Sequence, residues 1–209
     1  MKIVKLGGSL QEKGREIIQV LSDYAETKAD TVIIIPGGGH FVKRIKELSE
    51  QEVISDDAAH WMAVLGMHQY GFYLGDGSGI EIVESMEELS NVVHIGVLLP
   101  YNLLKADDSL PHTWNVTSDT IAAFIANKVG ETSFIKLTDV DGLMDNKGLL
   151  VRQMHAKAMI KNARTGCVDA ELPLFLMQNE MSCTIVNGNF PERIIAVIEG
   201  KETICTKIS

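Results

Sequence analysis

The sequence predicts an α/β fold, a three-layer αβα sandwich whose central sheet is mostly parallel. Short apolar runs alternate along the chain with segments of helical periodicity, and the runs show no polar alternation. Continuous apolar runs are typical of strands that are covered on both faces, and strand–helix alternation is typical of parallel sheets with right-handed crossovers. The chain has 209 residues, of which 45% are hydrophobic, enough for one substantial core.

Five strands are predicted because five short segments are rich in Val, Ile or Leu. They are 2–6, 31–35, 92–98, 133–137 and 183–186.

Five helices are predicted between and after these strands from the spacing of apolar residues. Thr117 or Ser118 is expected to cap the fourth helix, and Pro191 fits the first turn of the last, which leads to Glu199. The predicted helices cover 15–27, 40–50, about 57–72, 119–129 and 191–199.

The whole chain, residues 1–209, is expected to form a single domain, because no repeat, low-complexity tract or linker interrupts the pattern. The longest irregular stretch runs from Pro100 to Trp114 and contains two prolines and two aspartates. We expect this stretch to be a loop at the active-site face of the sheet.

Charge and cysteine content indicate which kinds of partner the protein can bind and in which cellular compartment it is expected. The formal net charge of -9 argues against nucleic-acid binding, which needs a basic face, but allows small anionic substrates. Cys167, Cys183 and Cys205 form no CxxC pair, so neither a disulfide framework nor a zinc site is expected. No signal peptide and no apolar run of roughly 20 residues is evident. We therefore expect a cytoplasmic protein without membrane partners.

Two predicted strands run directly into glycines. Lys2–Leu6 continues into Gly7, Gly8 and Ser9, and the strand that ends near Ile35 continues through Pro36 into three glycines, Gly37, Gly38 and Gly39. Bare backbone N–H groups at the carboxyl ends of strands are suited to phosphate, and Lys5 adds a cation beside the first turn. The pattern favours phosphoryl transfer, although tight turns without a ligand and a solvated lysine remain the alternative interpretation.

Four motifs in order resemble the amino acid kinase superfamily. They are Lys5–Ser9, Pro36–Gly39, Thr117–Asp119 and Thr138–Leu143. A narrower likeness, to the small archaeal kinases of methanofuran biosynthesis that convert an aminomethylfuran-methyl phosphate to its diphosphate, comes from 58–63, 98–101 and 110–119.

The resemblance implies a set of catalytic and acceptor residues. Lys5 matches the lysine that contacts the transferring phosphoryl group, and Asp119 matches the carboxylate that holds lysines in place. The alternative interpretation of Asp119 is a carboxylate whose negative charge simply stabilises the amino terminus of a helix. The predicted substrate-binding residues are Gly37, Gly38, Gly39, His40, Thr117 and Ser118.

The resemblance also implies ATP with Mg²⁺ as the donor. Residues 1–130 would form the acceptor-side lobe and 131–209 the nucleotide-side lobe. The metal would rest largely on phosphate oxygens and water, so no protein metal site is predicted. The predicted nucleotide-binding residues are Gly7, Gly8, Ser9, Thr138, Asp139, Asp141 and Gly142, of which the two aspartates are equally typical of an ordinary turn.

The sequence departs from the superfamily pattern at one place. Many members carry a second catalytic lysine after a glycine pair. The corresponding stretch, Thr165 to Glu171, holds acids instead. The preferred replacement is Lys13, after the first glycine turn, although a solvated lysine at a helix start is as consistent with the pattern. Lys136 is the other candidate, and its position favours a strand residue rather than a catalyst.

Several polar residues keep more than one interpretation. His40 follows the second glycine turn, where it would donate to the acceptor phosphate or be an exposed helix-start residue. His60 and His68 favour packing over metal binding. Asp56 and Asp57 favour capping of the third helix over contact with an acceptor amine.

The acceptor is expected to be an anion, because no histidine–carboxylate pair that would serve as a base for an alcohol is evident beside the glycine turns. Three functions remain open: a kinase for an amine-bearing phosphate, a uridylate or isopentenyl phosphate kinase, and a non-catalytic nucleotide-binding or oxyanion-storage protein. A homo-oligomer is expected, with the aromatic and methionine-rich helix at 57–72 as its surface.

Overall fold

A computed structural model describes residues 1–162 and 166–209 of the protein. Its strands are β1 Lys2–Leu6, β2 Val32–Pro36, β3 Glu81–Val83, β4 Ile95–Leu98, β5 Ser133–Thr138, β6 Leu143–Met144, β7 Leu150–Val151, β8 Gln153–Met154, β9 Ser182–Asn187 and β10 Cys205–Ile208. Eight of them form a sheet in the order β3-β4-β2-β1-β5-β9-β10-β8, and β6 pairs with β7 in a separate hairpin. Within the large sheet β9 and β10 are antiparallel and the other neighbours are parallel. The predicted α/β class and mostly parallel sheet are confirmed.

Helices follow most strands of the large sheet. They are α1 Gly14–Lys28, α2 Gly39–Gln51, α3 Asp56–Gly75, α4 Met86–Asn91, α5 Tyr101–Ala106, α6 Ser118–Lys128, α7 Ala156–Lys161, α8 Leu172–Gln178 and α9 Pro191–Ile198, with a 3-10 helix at Gly8–Lys13. Thr117 caps α6 with its side chain, and Pro191 opens α9, as predicted. Among the described residues, no helix combines the length and apolarity needed to cross a bilayer.

Side chains of the central strands alternate between two buried layers. Val4 and Leu6 pack in the cluster that contains residues of α1 and α9, whereas Ile3 packs in the cluster that contains residues of α6 and α8. Because successive strand residues point to opposite faces, Lys5 points to the same face as Ile3. On β5, Phe134 belongs to the α6 cluster, so Lys136 points to that face as well.

The Pro100–Trp114 segment is not an uninterrupted loop. It contains α5, which begins directly after Pro100, a residue that fits the start of a helix because it lacks an N–H. Leu104 is buried and anchors this helix. The sequence prediction also missed the strands β3, β6, β7, β8 and β10, which have four residues or fewer.

Candidate active site

The two glycine turns meet backbone to backbone. The Gly37 N–H donates to the Leu6 carbonyl oxygen at 2.8 Å. A Cβ atom on Gly8 would lie 2.3 Å from the Gly39 nitrogen, and one on Gly37 would lie 2.7 Å from the Gly8 nitrogen. Only glycine allows this approach, and it leaves backbone N–H groups of both turns close together at the carboxyl ends of β1 and β2.

Beside these turns, two lysines converge on one carboxylate. Lys5 Nζ lies 2.7 Å from Asp119 Oδ1, and Lys136 Nζ lies 2.5 Å from Asp119 Oδ2. The three residues are 5%, 4% and 3% exposed for Lys5, Lys136 and Asp119. Asp119 Oδ1 has no hydrogen-bond donor in good alignment among the described residues, so its contact with Lys5 is an ion pair rather than an aligned hydrogen bond.

The charges of this cluster stabilise one another against burial. Burial alone would raise the pKa of Asp119, but the two lysines outweigh it and lower the pKa to about 2. Burial lowers the pKa of Lys136, and the charge and hydrogen bond of Asp119 overcome this, so the pKa is raised. For Lys5 burial wins: its pKa is lowered, with Lys136 adding to the effect and Asp119 opposing it.

Asp169 anchors the start of the helix that carries Asp119. Its carboxylate accepts hydrogen bonds from the backbone N–H groups and the side-chain hydroxyls of both Thr117 and Thr120, at 2.6–3.0 Å, and from the Leu172 N–H at 2.9 Å. The Asp169 N–H in turn donates to Asp119 Oδ2 at 3.1 Å. Asp169 therefore fixes both the first turn of α6 and the carboxylate between the lysines.

A mostly apolar cavity adjoins the second glycine turn. Gly38, Thr117 and Ser118, three of the predicted substrate-binding residues, line it together. Asp56 also lines the cavity and is exposed. The remaining lining residues are Val42, Ala59, His60, Ala63, Val64, Met67, Thr113, Trp114, Val116 and Ile121.

A histidine–carboxylate cluster lies next to this cavity, contrary to the sequence analysis. His112 Nδ1 lies 2.6 Å from Asp57 Oδ1, and its Nε2 lies 2.7 Å from Asp108 Oδ1. The His112 ring stacks on His60 with 4.1 Å between ring centroids. Carboxylates therefore engage both ring nitrogens of His112.

The predicted capping role of Asp56 and Asp57 is wrong. The cap of α3 is Ser55, whose hydroxyl accepts from the Ala58 N–H at 3.2 Å. A hydroxyl one residue earlier satisfies the orphan N–H group and leaves both carboxylates for other contacts. His68 packs as predicted: it is 9% exposed, and its Nε2 accepts the Tyr101 N–H at 2.8 Å.

The predicted nucleotide-binding residues after β5 are held in a polar network. Asn187 donates to the Asp139 carbonyl oxygen at 3.2 Å and to Asp141 Oδ1 at 2.9 Å, and Arg193 donates to the same Asp141 oxygen at 2.8 Å. Thr138 donates to Asp139 Oδ1 at 3.3 Å. The network orders the loop between β5 and β6 at the carboxyl end of the sheet.

The other predicted residues lie around the turns. Gly142 is buried with φ 144°, where a side chain would meet Thr206. Ser9 and Lys13 are exposed in the 3-10 helix, and His40 is exposed in the first turn of α2. The catalytic assignment of Lys13 stays a prediction.

The structure brings Lys136 and Asp169 to Asp119. From the sequence, Lys136 is the second candidate for the missing cation, with a strand residue favoured, although Val4-Lys5-Leu6 on β1 and Ile135-Lys136-Leu137 on β5 are nearly the same pattern. The sequence shows acids in the Thr165–Glu171 stretch but assigns no role to Asp169; Thr165 itself lies outside the described residues. A lysine near the carboxyl end of both β1 and β5 is the sequence signal that Lys5 and Lys136 lie side by side.

Similarity to known proteins shows which family the chain belongs to. Residues 1–187 match the pattern of the amino acid kinase family. The chain belongs to the amino acid kinase family. As a member, it is a kinase of the group that phosphorylates phosphate or carboxyl acceptors and uses ATP.

Two curated relatives in the amino acid kinase family come from Methanocaldococcus jannaschii. The chain is 32% identical to [5-(aminomethyl)furan-3-yl]methyl phosphate kinase, with 100% of this chain and 97% of the relative covered. It is 33% identical to an acetylglutamate kinase, with 64% of this chain and 47% of the relative covered.

Solved structures of amino acid kinases share the fold. Uridylate kinase from Archaeoglobus fulgidus superimposes with a TM-score of 0.74 at 19% identity, covering 100% of both chains. UMP kinase from Ureaplasma parvum gives 0.77 at 15% identity, covering 99% of this chain and 94% of the other. At these identities the likeness concerns the fold alone.

Proposed function

We propose that this chain transfers the γ-phosphoryl group of ATP to the phosphate of a small metabolite and makes a diphosphate, with [5-(aminomethyl)furan-3-yl]methyl phosphate as the acceptor. The observation that carries the proposal is the buried Lys5–Asp119 ion pair beside the two glycine turns. Phosphoryl transfer needs positioning and charge neutralisation more than a nucleophile, and this pair with its surrounding N–H groups supplies both. The full-length match to the furan phosphate kinase supports the choice of acceptor.

ATP would bind across the carboxyl ends of β1 and β5. Gly8 and Ser9 would hold its phosphates through backbone N–H groups, and Gly7, whose N–H donates to the Leu137 carbonyl oxygen, would shape the turn around them. The cradle fits because Gly8 presents no Cβ atom there. The loop ordered by Asn187 and Arg193 would hold the rest of the nucleotide. Mg²⁺, when bound with ATP, neutralises phosphate charge and would rest on phosphate oxygens and water. The nucleotide-contacting residues in this loop are Thr138, Asp139, Asp141 and Gly142.

The acceptor phosphate would bind at the second turn. Gly38 and Gly39 offer backbone N–H groups there, with His40 beside them, while Gly37, whose N–H donates to the Leu6 carbonyl oxygen, sets the shape of the turn. The positive end of α6 lies across the cavity at Thr117 and Ser118. The ring would occupy the cavity between these two anchors. This arrangement makes residues 1–130 the acceptor-side lobe and 131–209 the nucleotide-side lobe.

In the transfer step, an oxygen of the acceptor phosphate forms a bond to the γ-phosphorus of ATP. The bond between that phosphorus and the β–γ bridging oxygen breaks, and its electron pair leaves with ADP. A phosphate monoester is already largely an anion at neutral pH, so no base has to remove a proton. Lys5 donates to the γ-phosphoryl oxygens and neutralises the charge that develops on them.

The amine of the proposed acceptor has a partner at the cavity. Asp56 is exposed at its lining and is not used as a helix cap, so its carboxylate is available to an ammonium group. His60 lines the same cavity, and burial lowers its pKa to about 4. His60 is therefore neutral at pH 7 and does not repel the ammonium.

The test is ADP formation from Mg-ATP with a panel of acceptors: the furan phosphate, UMP, isopentenyl phosphate and acetylglutamate. We expect kcat/KM for the furan phosphate to exceed the others by at least about 100-fold, since the amine, the ring and the phosphate each have a partner. Product identity is checked by ³¹P NMR, where the diphosphate product shows two coupled phosphorus signals in addition to those of ADP and ATP.

The other outcomes each overturn a defined part of the proposal. A preference for UMP or isopentenyl phosphate keeps the reaction and removes the acceptor assignment. Tight ATP binding without turnover of any acceptor removes the kinase reaction with these substrates and favours a nucleotide-binding or oxyanion-storage role.

A further inference from the structure

We propose that Lys136 is the second phosphoryl-binding cation of this site, so that Lys5 and Lys136 together hold the γ-phosphoryl group during transfer. This inference rests on the proposed kinase function. It assigns to a residue of a central strand the charge that many superfamily members place after a glycine pair in the carboxyl-terminal lobe.

Strand geometry puts the two lysines side by side. β1 and β5 are adjacent parallel strands, and Lys5 and Lys136 are direct partners in their register. Each lysine lies close to the carboxyl end of its strand, and both point to the face covered by α6. Two ammonium groups therefore reach the same sheet edge, next to the Gly7 and Gly8 turn.

Asp119 orients both ammonium groups rather than only one. Each of its oxygens lies within 2.7 Å of a different lysine nitrogen. Lys136 Nζ also donates to the Cys167 carbonyl oxygen at 2.5 Å, which leaves one of its three N–H groups for a ligand. The charge of Asp119 raises the pKa of Lys136 against burial, so this residue remains a cation across the working pH range.

The segment before α8, where many superfamily members carry the second lysine, has a different role in this chain. Asp169 uses its carboxylate on Thr117, Thr120 and Leu172, and its N–H on Asp119. An acid at this place secures the first turn of α6, and the Cys167 carbonyl oxygen beside it faces Lys136. The segment thus positions the Asp119–Lys136 pair instead of supplying a cation itself.

Burying two cations around one carboxylate is costly unless an anion joins them. The charge of Asp169 acts on Lys5 and raises its pKa, but this is the smallest of the contributions and does not overcome burial. The Asp169 oxygens themselves are engaged by the N–H and hydroxyl donors of α6 and α8. A γ-phosphoryl group supplies that anion. In the proposed step its oxygens accept hydrogen bonds from Lys5 and Lys136 while the new P–O bond forms and the bond to ADP breaks.

The experiment compares three substitutions at Lys136 with a matched lysine elsewhere in the sheet. Lys136→Met removes the charge, Lys136→Gln removes the charge but keeps a hydrogen-bond donor, and Lys136→Arg keeps the charge. The control is Lys207→Met, an exposed lysine on β10. We measure kcat, KM for ATP, thermal unfolding, and the affinity for Mg-ADP with and without aluminium fluoride, which mimics the transferring phosphoryl group.

We expect Lys136→Met and Lys136→Gln to lower kcat by about 10²- to 10³-fold with KM for ATP changed by less than about fivefold. Both should lose the tightening of Mg-ADP by aluminium fluoride. Lys136→Arg should recover at least about tenfold in kcat over Lys136→Gln, and Lys207→Met should behave as the wild type.

A folded Lys136→Gln variant with a kcat within about threefold of the wild type and normal aluminium fluoride binding overturns the inference while the kinase function stands. So does a pattern in which Lys13→Met carries the loss and the Lys136 variants do not. A wild-type chain that neither turns over an acceptor nor tightens Mg-ADP with aluminium fluoride overturns the proposed function, and the role of Lys136 with it.

Discussion

One carboxylate, that of Asp119, lies between two buried lysines, Lys5 and Lys136, and favours their charged forms. Without Asp119 two ammonium groups in adjacent strands would repel each other and lose their hydration. With it, Lys136 is held firmly charged, whereas Lys5, whose pKa is lowered, is the cation of the pair that is more easily lost. The alkaline limit of activity should therefore report Lys5.

We predict that kcat/KM for ATP falls with rising pH at a midpoint below 10.5, the ordinary value for a lysine. This ratio reports groups of the free enzyme, and in the proposed mechanism the protonated form of Lys5 is the active one. Asp119→Asn should move the midpoint to lower pH, because the Asp119 charge raises the pKa of Lys5. A profile that stays flat to pH 10.5, or a limb that moves to higher pH in Asp119→Asn, contradicts this assignment.

Asp56 gives a residue-scale test of the acceptor. We predict that Asp56→Asn raises KM for the furan phosphate by about 10-fold or more, because the ammonium loses an ionic partner. KM for the analogue that carries a methyl group in place of the aminomethyl group should change by less than about twofold. The comparison is made by initial-rate kinetics with both acceptors. Equal effects on the two acceptors would show that Asp56 does not contact the amine.

At the scale of elements, the site depends on how α6 is attached to the sheet. Asp119 lies in the first turn of α6, and Asp169 fixes that turn from the segment before α8. The glycine turns supply the other attachment, because they allow the loops after β1 and β2 to pack backbone to backbone. The relative positions of the charged side chains are therefore set by loops and by the first turn of a helix, which the strands hold in place.

We predict that Asp169→Ala lowers the free energy of unfolding by about 2–4 kcal/mol, because it leaves several buried donors unsatisfied. It should also lower kcat, because the first turn of α6, which carries Asp119, loses the carboxylate that fixes it. Urea unfolding and initial rates measure the two effects. The control is Asp145→Ala, in the exposed turn between β6 and β7, which should leave kcat unchanged. Full stability and full activity of Asp169→Ala would contradict the anchoring role.

At the scale of the whole molecule, α3 contributes to both buried layers: Trp61 packs in the α6 cluster and Tyr70 in the α1 cluster. His68 lies between them on α3 and is tied to the start of α5 by the Tyr101 N–H. Burial lowers the pKa of His68 to about 4 from 6.5. The unfolded chain therefore binds a proton in a pH range where the folded protein does not.

We predict that this difference makes the protein less stable as the pH falls. The stabilisation is fully present above pH 6.5 and is lost progressively as the pH approaches about 4, by roughly 3 kcal/mol for His68 alone. His68→Gln keeps an acceptor for the Tyr101 N–H but does not titrate, so its Tm should fall less over the same range. Calorimetry at several pH values measures this, and an equal acid dependence of wild type and variant would contradict the prediction.

The sequence predicted the central strands well because those strands are continuous apolar runs, as in Ile33–Ile35. It missed β3 and β10 because they are short strands at or near the sheet margins, where Glu81 and Lys207 are exposed. It placed the glycine turns correctly from local pattern. It could not join Asp169 to α6, a contact across 49 to 52 positions that no local pattern records.

The central claim is that the site phosphorylates a phosphate and not an alcohol. The most direct measurement is the rate of ADP formation from Mg-ATP with two matched acceptors, [5-(aminomethyl)furan-3-yl]methyl phosphate and the same molecule without its phosphate. We predict saturable turnover to a diphosphate with the first and no turnover above background ATP hydrolysis with the second. Equal or faster turnover of the alcohol, or none with the phosphate, would contradict the account.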